Sequence, residues 1–204
     1  MWSFRAVVLA FALVAATPVS WSRQGTPQSR AKTTASTQNV LPTKGLIEQG
    51  TYKNPSIGLE FTPAENLHLQ EPEMKGTPGT TPLVITVSAL ADLGLFSGIF
   101  SPRSVTGFYA DALAYYPEDQ RNAGRYLKKA IRANEEDGFH QIEGATSDQI
   151  SGIPFVRADF VKGQVHEAVL VAIHNGYAFV FIFAGSDVGA VNKLITSTKV
   201  KFTP

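Results

Sequence analysis

The chain has 204 residues, a formal net charge of +1 and no cysteine. That length supports one domain with a substantial core plus a terminal extension. The missing cysteine excludes disulfides, thiolate zinc sites, cysteine nucleophiles and a lipid-modified cysteine.

The N-terminus reads as a secretion signal. Arg5 supplies a positive charge, Ala6–Ala16 is an unbroken apolar run of eleven residues, and small residues follow. Such a run fits the hydrophobic stretch of a signal peptide and falls short of the ~20 residues that span a bilayer. Cleavage after Ala16 or after Ser22 fits the small-residue pattern, and Ser22 is preferred because Thr17-Pro18 would otherwise begin the mature chain. The expected division is therefore 1–22 as signal, 23–45 as spacer and 46–204 as a single domain. A cysteine-free exported domain whose only Asn-x-Ser triplet, Asn54-Pro55-Ser56, is blocked by proline suits a bacterial periplasm or the cell exterior.

The spacer is rich in Ser, Thr, Gln and Pro and buries too little to fold, so deleting Arg23–Lys44 is expected to leave the domain intact. Charge divides at its end. Residues 1–44 carry five Lys/Arg and no acid, which leaves thirteen bases against seventeen acids in 45–204, a net −4. The widely spaced basic residues read as a solvated linker rather than a tether to an anionic surface.

Within the domain, Glu48–Asn54 and Gly58–Thr62 form an expected hairpin around Pro55-Ser56. Glu65–Pro82, broken by Pro and Gly, reads as a surface loop, and Leu83–Leu90 as a buried strand. Gly94–Pro102 is apolar with two glycines and reads as a crossover packed under the next element rather than a lid. Ser104 is expected to cap a helix to Tyr115 with Phe108, Ala112 and Tyr115 on one face. A second helix is expected from Pro117 to Glu136, ending at Gly138. It buries Tyr126, Leu127, Ala130 and Ile131 and leaves Arg121, Arg125, Lys128, Lys129 and Arg132 in water. That basic face invites nucleic acid, but Glu135, Glu136 and Asp137 follow at once and the domain is acidic, so no nucleic-acid partner is expected.

A strand near Phe139–Glu143 precedes three consecutive antiparallel strands, Ile153–Val161, Val165–His174 and Tyr177–Ala184. Asn175-Gly176 between two β-rich runs is a type I′ hairpin signal, since both central residues need positive φ. It sets a register: His174 faces Tyr177, Ala172 faces Phe179, Leu170 faces Phe181 and Ala168 faces Phe183. On the opposite side Ile173 meets Ala178, Val171 meets Val180 and Val169 meets Ile182. Both faces are apolar and both are expected to be covered. The Phe179, Phe181, Phe183 stripe then reads as packing rather than a ligand slot. Ser186 or Asp187 should cap a final helix through Thr198. The order of elements is α+β: a mostly antiparallel sheet with helices packed on it.

The chain resembles the Mog1/PsbP-like group of α/β/α sandwiches. The residues concerned are Gly50-x-Tyr52-x-Asn54-x-x-x-Gly58-x-x-Phe61-x-Pro63, Phe155-x-x-x-Asp159-Phe160 and Gly176-Tyr177. Where such domains carry a tryptophan soon after the proline, Leu67 stands nearby here. The resemblance spans most of 46–204 and implies a fold, with exported bacterial members among the group, but no particular activity.

The chemistry is sparse. No Gly-x-Ser-x-Gly, Ser-x-x-Lys, P-loop or Gly-x-Gly-x-x-Gly occurs, and Gly185-Ser186-Asp187-Val188-Gly189 reads as a strand end and a cap. His68, His140, His166 and His174 lack ligand spacing, so neither metal nor cofactor is expected. Arg157 and Asp159 share one face of an apolar strand, two residues apart. They read first as a structural pair. The alternative is an anionic-ligand or hydrolase cleft to which His166 and Glu167 would contribute, Glu167 only if the turn length puts it on the same face. Two function classes follow: a non-enzymatic exported module binding a protein or envelope component through a sheet edge or helix face, or a small-molecule site at Arg157, Asp159, His166 and Glu167. N-terminal sequencing of the exported product should begin between Thr17 and Arg23; a mature chain that keeps Phe11–Val14 would rule out signal removal.

Overall fold

In a computed structural model the described residues are 42–76, 83–91 and 104–204. All of them lie within the unit Leu41–Pro204. The expected crossover Gly94–Pro102 and the signal and spacer up to residue 41 fall outside the described residues.

The three long strands form as the periodicity requires: β10 (Ile153–Lys162), β11 (Val165–His174) and β12 (Tyr177–Gly185). Every expected pair recurs, from His174 with Tyr177 to Ala168 with Phe183. Asn175 and Gly176 both take positive φ, 45° and 76°, as the two-residue turn demands. On the far side of β12 lies β7 (Val105–Ala112), which in turn pairs with β6 (Val84–Ala91). Two short strands, β4 (Leu67–Leu69) and β5 (Glu73–Lys75), flank β6. β8 (His140–Gln141) and β9 (Thr146–Ile150) flank β10 in the same way. Among the described residues the nine strands of this sheet pair antiparallel throughout.

A second, four-stranded sheet has the order β1-β2-β3-β13, with β1 (Leu46–Glu48), β2 (Thr51–Asn54), β3 (Leu59–Thr62) and β13 (Lys199–Phe202). Together with α2 (Val188–Ser197) it covers one face of the large sheet. Phe61 and Val200 of the small sheet and Val191 and Leu194 of α2 share a core there with Phe108, Leu170, Phe179, Phe181 and Phe183. The opposite face carries Ala158, Phe160, Val169, Val171 and Val180 under Tyr126, Leu127 and Ala130 of α1 (Ala123–Glu136). The fold is α+β, with two helices packed on a mostly antiparallel sheet among the described residues.

The helix expected over Ser104–Tyr115 is instead β7, followed by a 3-10 turn at Leu113–Tyr115. Val105-Thr106-Gly107-Phe108-Tyr109 is β-branched and aromatic and alternates with period 2: Phe108 and Ala110 enter one core while Tyr109 and Asp111 face the other. A segment paired on both edges is a central strand, and that tertiary demand overrides the chance helical spacing of Phe108, Ala112 and Tyr115. The second helix starts later than Pro117. Glu118–Gln120 is a 3-10 turn, and the Asn122 side chain accepts the Arg125 N–H at 2.9 Å to cap α1. Gly138, with φ 84°, follows its end. The expected strand Glu48–Asn54 is two strands, split by a Gln49-Gly50 turn with both φ positive. Asp187 caps α2 through Ala190 N–H, and β13 then continues the chain onto β3.

The ordered contacts begin ahead of residue 46. Asn54 Nδ2 donates to the Thr43 carbonyl at 2.7 Å and to the Tyr52 hydroxyl at 2.8 Å, and Tyr52 donates onward to the Lys44 carbonyl. Tyr52 and Asn54 are fully buried, so the last spacer residues act as acceptors for groups water cannot reach. A chain starting at Leu46 should melt about 4–8 °C below one starting at Pro42, since roughly 2 kcal/mol of hydrogen bonding is lost. Equal melting temperatures would show that Thr43 and Lys44 contribute nothing.

Candidate functional site

Arg157 sits on the α2 side of β10 and is held from three directions. Its Nε and Nη2 donate to the two carboxylate oxygens of Asp159 at 2.8 and 2.6 Å. Nη1 reaches Asp148 of β9 at 2.7 Å, and Nη2 also reaches Asn192 of α2 at 2.8 Å. The fork geometry of a guanidinium matches a carboxylate in this two-point manner. Burial lowers the guanidinium pKa, but the bonds to Asp159 and Asp148 outweigh it, and the net shift is upward. With its side chain only 13 % exposed, Arg157 has its fork directed at protein acceptors.

His166 and Glu167 separate. In the β10–β11 register Arg157 opposes Leu170, Asp159 opposes Ala168 and His166 lies opposite Val161. His166 therefore extends the Arg157–Asp159 row, and its Nδ1 is buried without a hydrogen-bond partner. Glu167 opposes Phe160 and points to the α1 face, because the turn between Lys162 and Val165 holds two residues. It cannot join the other three. It is 6 % exposed and accepts a 2.6 Å bond from Asn134 of α1. Burial pushes its carboxyl up to about 7; the Asn134 bond opposes this and nearby Asp137 adds to it.

A second polar cluster lies under the start of α1. Asp111, 2 % exposed, accepts Tyr116 and Tyr126 hydroxyls on Oδ2, each at 2.5 Å. Lys129 donates to the Tyr116 hydroxyl at 2.7 Å, stands 3.8 Å from Asp111 and lies over the Tyr116 ring at 4.5 Å. The other Asp111 oxygen, Oδ1, is buried without a partner. Burial raises the pKa of Tyr109, Tyr116 and Tyr126, which keeps their phenols protonated, and those of Tyr116 and Tyr126 are the donors to Asp111. Burial also lowers that of Lys129, against the pull of Asp111. Lys129 is thus not part of a wet basic face. The cluster is hidden in the sequence because the helical spacing over Ser104–Tyr115 puts Tyr109 and Asp111 in a helix. The available signal was an acid at an inward position of an alternating β-branched and aromatic run.

A cleft of about 310 Å³ opens elsewhere, where β10 and β11 diverge, lined by Pro154, Phe155, Val156, Ala172, Ile173 and Phe202 among others. The ladder stops at Val156 opposite Val171. The next hydrogen-bonded position on β10 is Pro154, which has no N–H to offer. The cleft is mainly apolar and contains none of Arg157, Asp159, His166 or Glu167. Among the described residues no three His, Asp or Glu side chains are grouped to hold a metal, and no helix is long and apolar enough to cross a membrane. Comparison of the chain with family models, with curated proteins and with solved structures returns no match.

Arg157→Ala should destabilise the domain by roughly 2–3 kcal/mol, the scale of lost charged hydrogen bonds. Arg157→Ala/Asp159→Ala should recover part of that loss, because it removes one of the stranded carboxylates. Chemical denaturation of the four members of this cycle measures the coupling; strictly additive losses would refute a structural pair.

Proposed function

We propose that the chain is an exported, non-enzymatic α+β domain of the Mog1/PsbP-like kind. It acts in a bacterial periplasm or outside the cell by binding a protein or envelope component along a sheet edge. The observation that carries this reading is that three exposed large apolar side chains, besides Leu90, Tyr115 and Val188 elsewhere, stand at sheet margins. Leu46, 48 % exposed, stands in β1 at the margin of the small sheet; Met74, 40 % exposed, stands in β5; Ile142, 46 % exposed, directly follows β8. These side chains stand among the charges that edge strands ordinarily carry, here Glu48 in β1 and Glu73 and Lys75 in β5. Apolar side chains at three separate margins suit a partner that adds its own strand or packs alongside.

One observation favours a second reading, the binding of a small anion: the unpartnered His166 Nδ1 on the Arg157 face. Against it, the Arg157 fork is already aimed at Asp159, Asp148 and Asn192.

Leu46→Lys, Met74→Lys and Ile142→Lys are surface changes that should leave stability within about 0.5 kcal/mol. At least one should abolish capture of the envelope partner retained by the tagged wild-type chain. Wild-type capture by all three variants would remove the sheet edges as the contact. A saturable shift of the His166 imidazole resonance on adding inorganic phosphate would favour the second reading instead.

A further inference from the structure

α1 is fastened to the sheet at two places by carboxylates of opposite character. Near its start Asp111 is surrounded by donors: two phenols and the Lys129 ammonium. Near its end Glu167 has one amide donor, Asn134 Nδ2, and no ion pair to a cation among the described residues. The end of α1 is also the negative pole of the helix, where a buried carboxylate is disfavoured.

The groups around Glu167 are the following. From α1 come Asn134, which is neutral, and Asp137, which carries like charge. From β7 comes the Tyr109 phenol, kept neutral by burial. From β10 come Phe160, directly opposite, and Lys162, whose ammonium is bonded to the Asp137 carbonyl and lies over the Phe139 ring. From β12 comes Ala184, without charge. His166, the chain neighbour, points to the other face.

We propose that the Glu167–Asn134 contact is a pH-sensitive latch that holds the C-terminal half of α1 on the sheet. With Glu167 neutral the contact is an ordinary buried hydrogen bond. With Glu167 ionised the same position holds a buried charge that the Asn134 amide offsets only in part, beside Asp137 and the helix C-terminus, and the last turns of α1 lift to admit water. The sign follows from the upward shift of the carboxyl, from 4.5 to about 7. Below pH 4.5 the group is neutral whether the helix is docked or lifted, and the contribution of the latch is complete. It is lost progressively as the pH rises from 4.5 through about 7. On the reading of the chain as an exported domain, the underside of α1 and the strand face around Val169 would be exposed more in mildly alkaline than in mildly acidic surroundings.

Amide hydrogen exchange of the full chain at pH 5.5 and 8.0, divided by the intrinsic exchange rates, tests this. Protection of residues 130–139 should fall about 25-fold over that interval, the ratio expected for a carboxyl moving between 4.5 and about 7. Residues of β12 should show no matching change. Glu167→Gln, which keeps an acceptor for Asn134 and removes the charge, should make the response flat. An equal response in the Gln variant, or none in the wild type, overturns the latch. If the Gln variant fails to fold, NMR titration of the wild-type Glu167 carboxyl decides alone. A midpoint near 7 that moves together with the amide shifts of 130–139 sustains the proposal, and a midpoint below about 5.5 overturns it.

Discussion

Burial of the central strands on both faces is the constraint on which the other features depend. Phe181 of β12 lies where the layers meet, with ring centroids 5.3 Å from Phe108, 5.5 Å from Phe155 and 5.8 Å from Phe61. These rings come from β7, β10 and the small sheet, so one side chain joins two sheets and three strands of the larger one. Tilted and edge-on contacts of this kind add to plain area burial. Large residues oppose small ones across the ladder, as Phe179 does Ala172 and Phe183 does Ala168. The sheet can therefore accept a covering layer at close packing density on that side.

Polar side chains are costly in a sheet covered on both faces, and three of those present tie peripheral elements inward. Arg157 draws β9 and α2 to β10. Asp111 fastens the 3-10 turn and the start of α1 to β7. Glu167 meets the end of α1. Asn54 and Gly58 act in the same way. Asn54 turns its Oδ1 to the Ser56 N–H and hydroxyl and its amide to Thr43 and Tyr52. Gly58, at φ 68°, has no room for a Cβ beside the Thr203 carbonyl. This is a structural joint between β2, β3 and the end of β13.

The strand pairs at the margins are short. β4 and β5 divide the edge of β6 between them, and β8 and β9 divide that of β10. Short, interrupted edges limit runaway pairing with other chains. The same interruptions leave single apolar side chains, rather than continuous stripes, exposed at the margins.

Local patterning was sufficient for the meander, down to residue-for-residue register, because a two-residue Asn175-Gly176 turn permits one pairing and strand alternation then propagates it. The cap of α2 and the hairpin at Pro55-Ser56 were legible for the same reason: their signals lie within a few residues of one another. The sequence also paired Arg157 with Asp159, since strand periodicity puts residues two apart on one side. Its Asp148 and Asn192 partners, and the Asp111–Tyr116–Tyr126–Lys129 cluster, needed the tertiary structure. Residues 105–112 carry a pattern compatible with helix or strand, and the choice was made by open edges on β6 and β12, the latter about 70 residues along the chain. Once that segment is a strand, Asp111 must face α1 and find donors there. Which side Glu167 takes likewise follows from a turn of two residues rather than three. Hydrophobic pattern and turn chemistry are short-range and belong to the sequence; the partner of a strand edge, and the burial that sets the charge state of a carboxyl, exist only when distant segments are brought together.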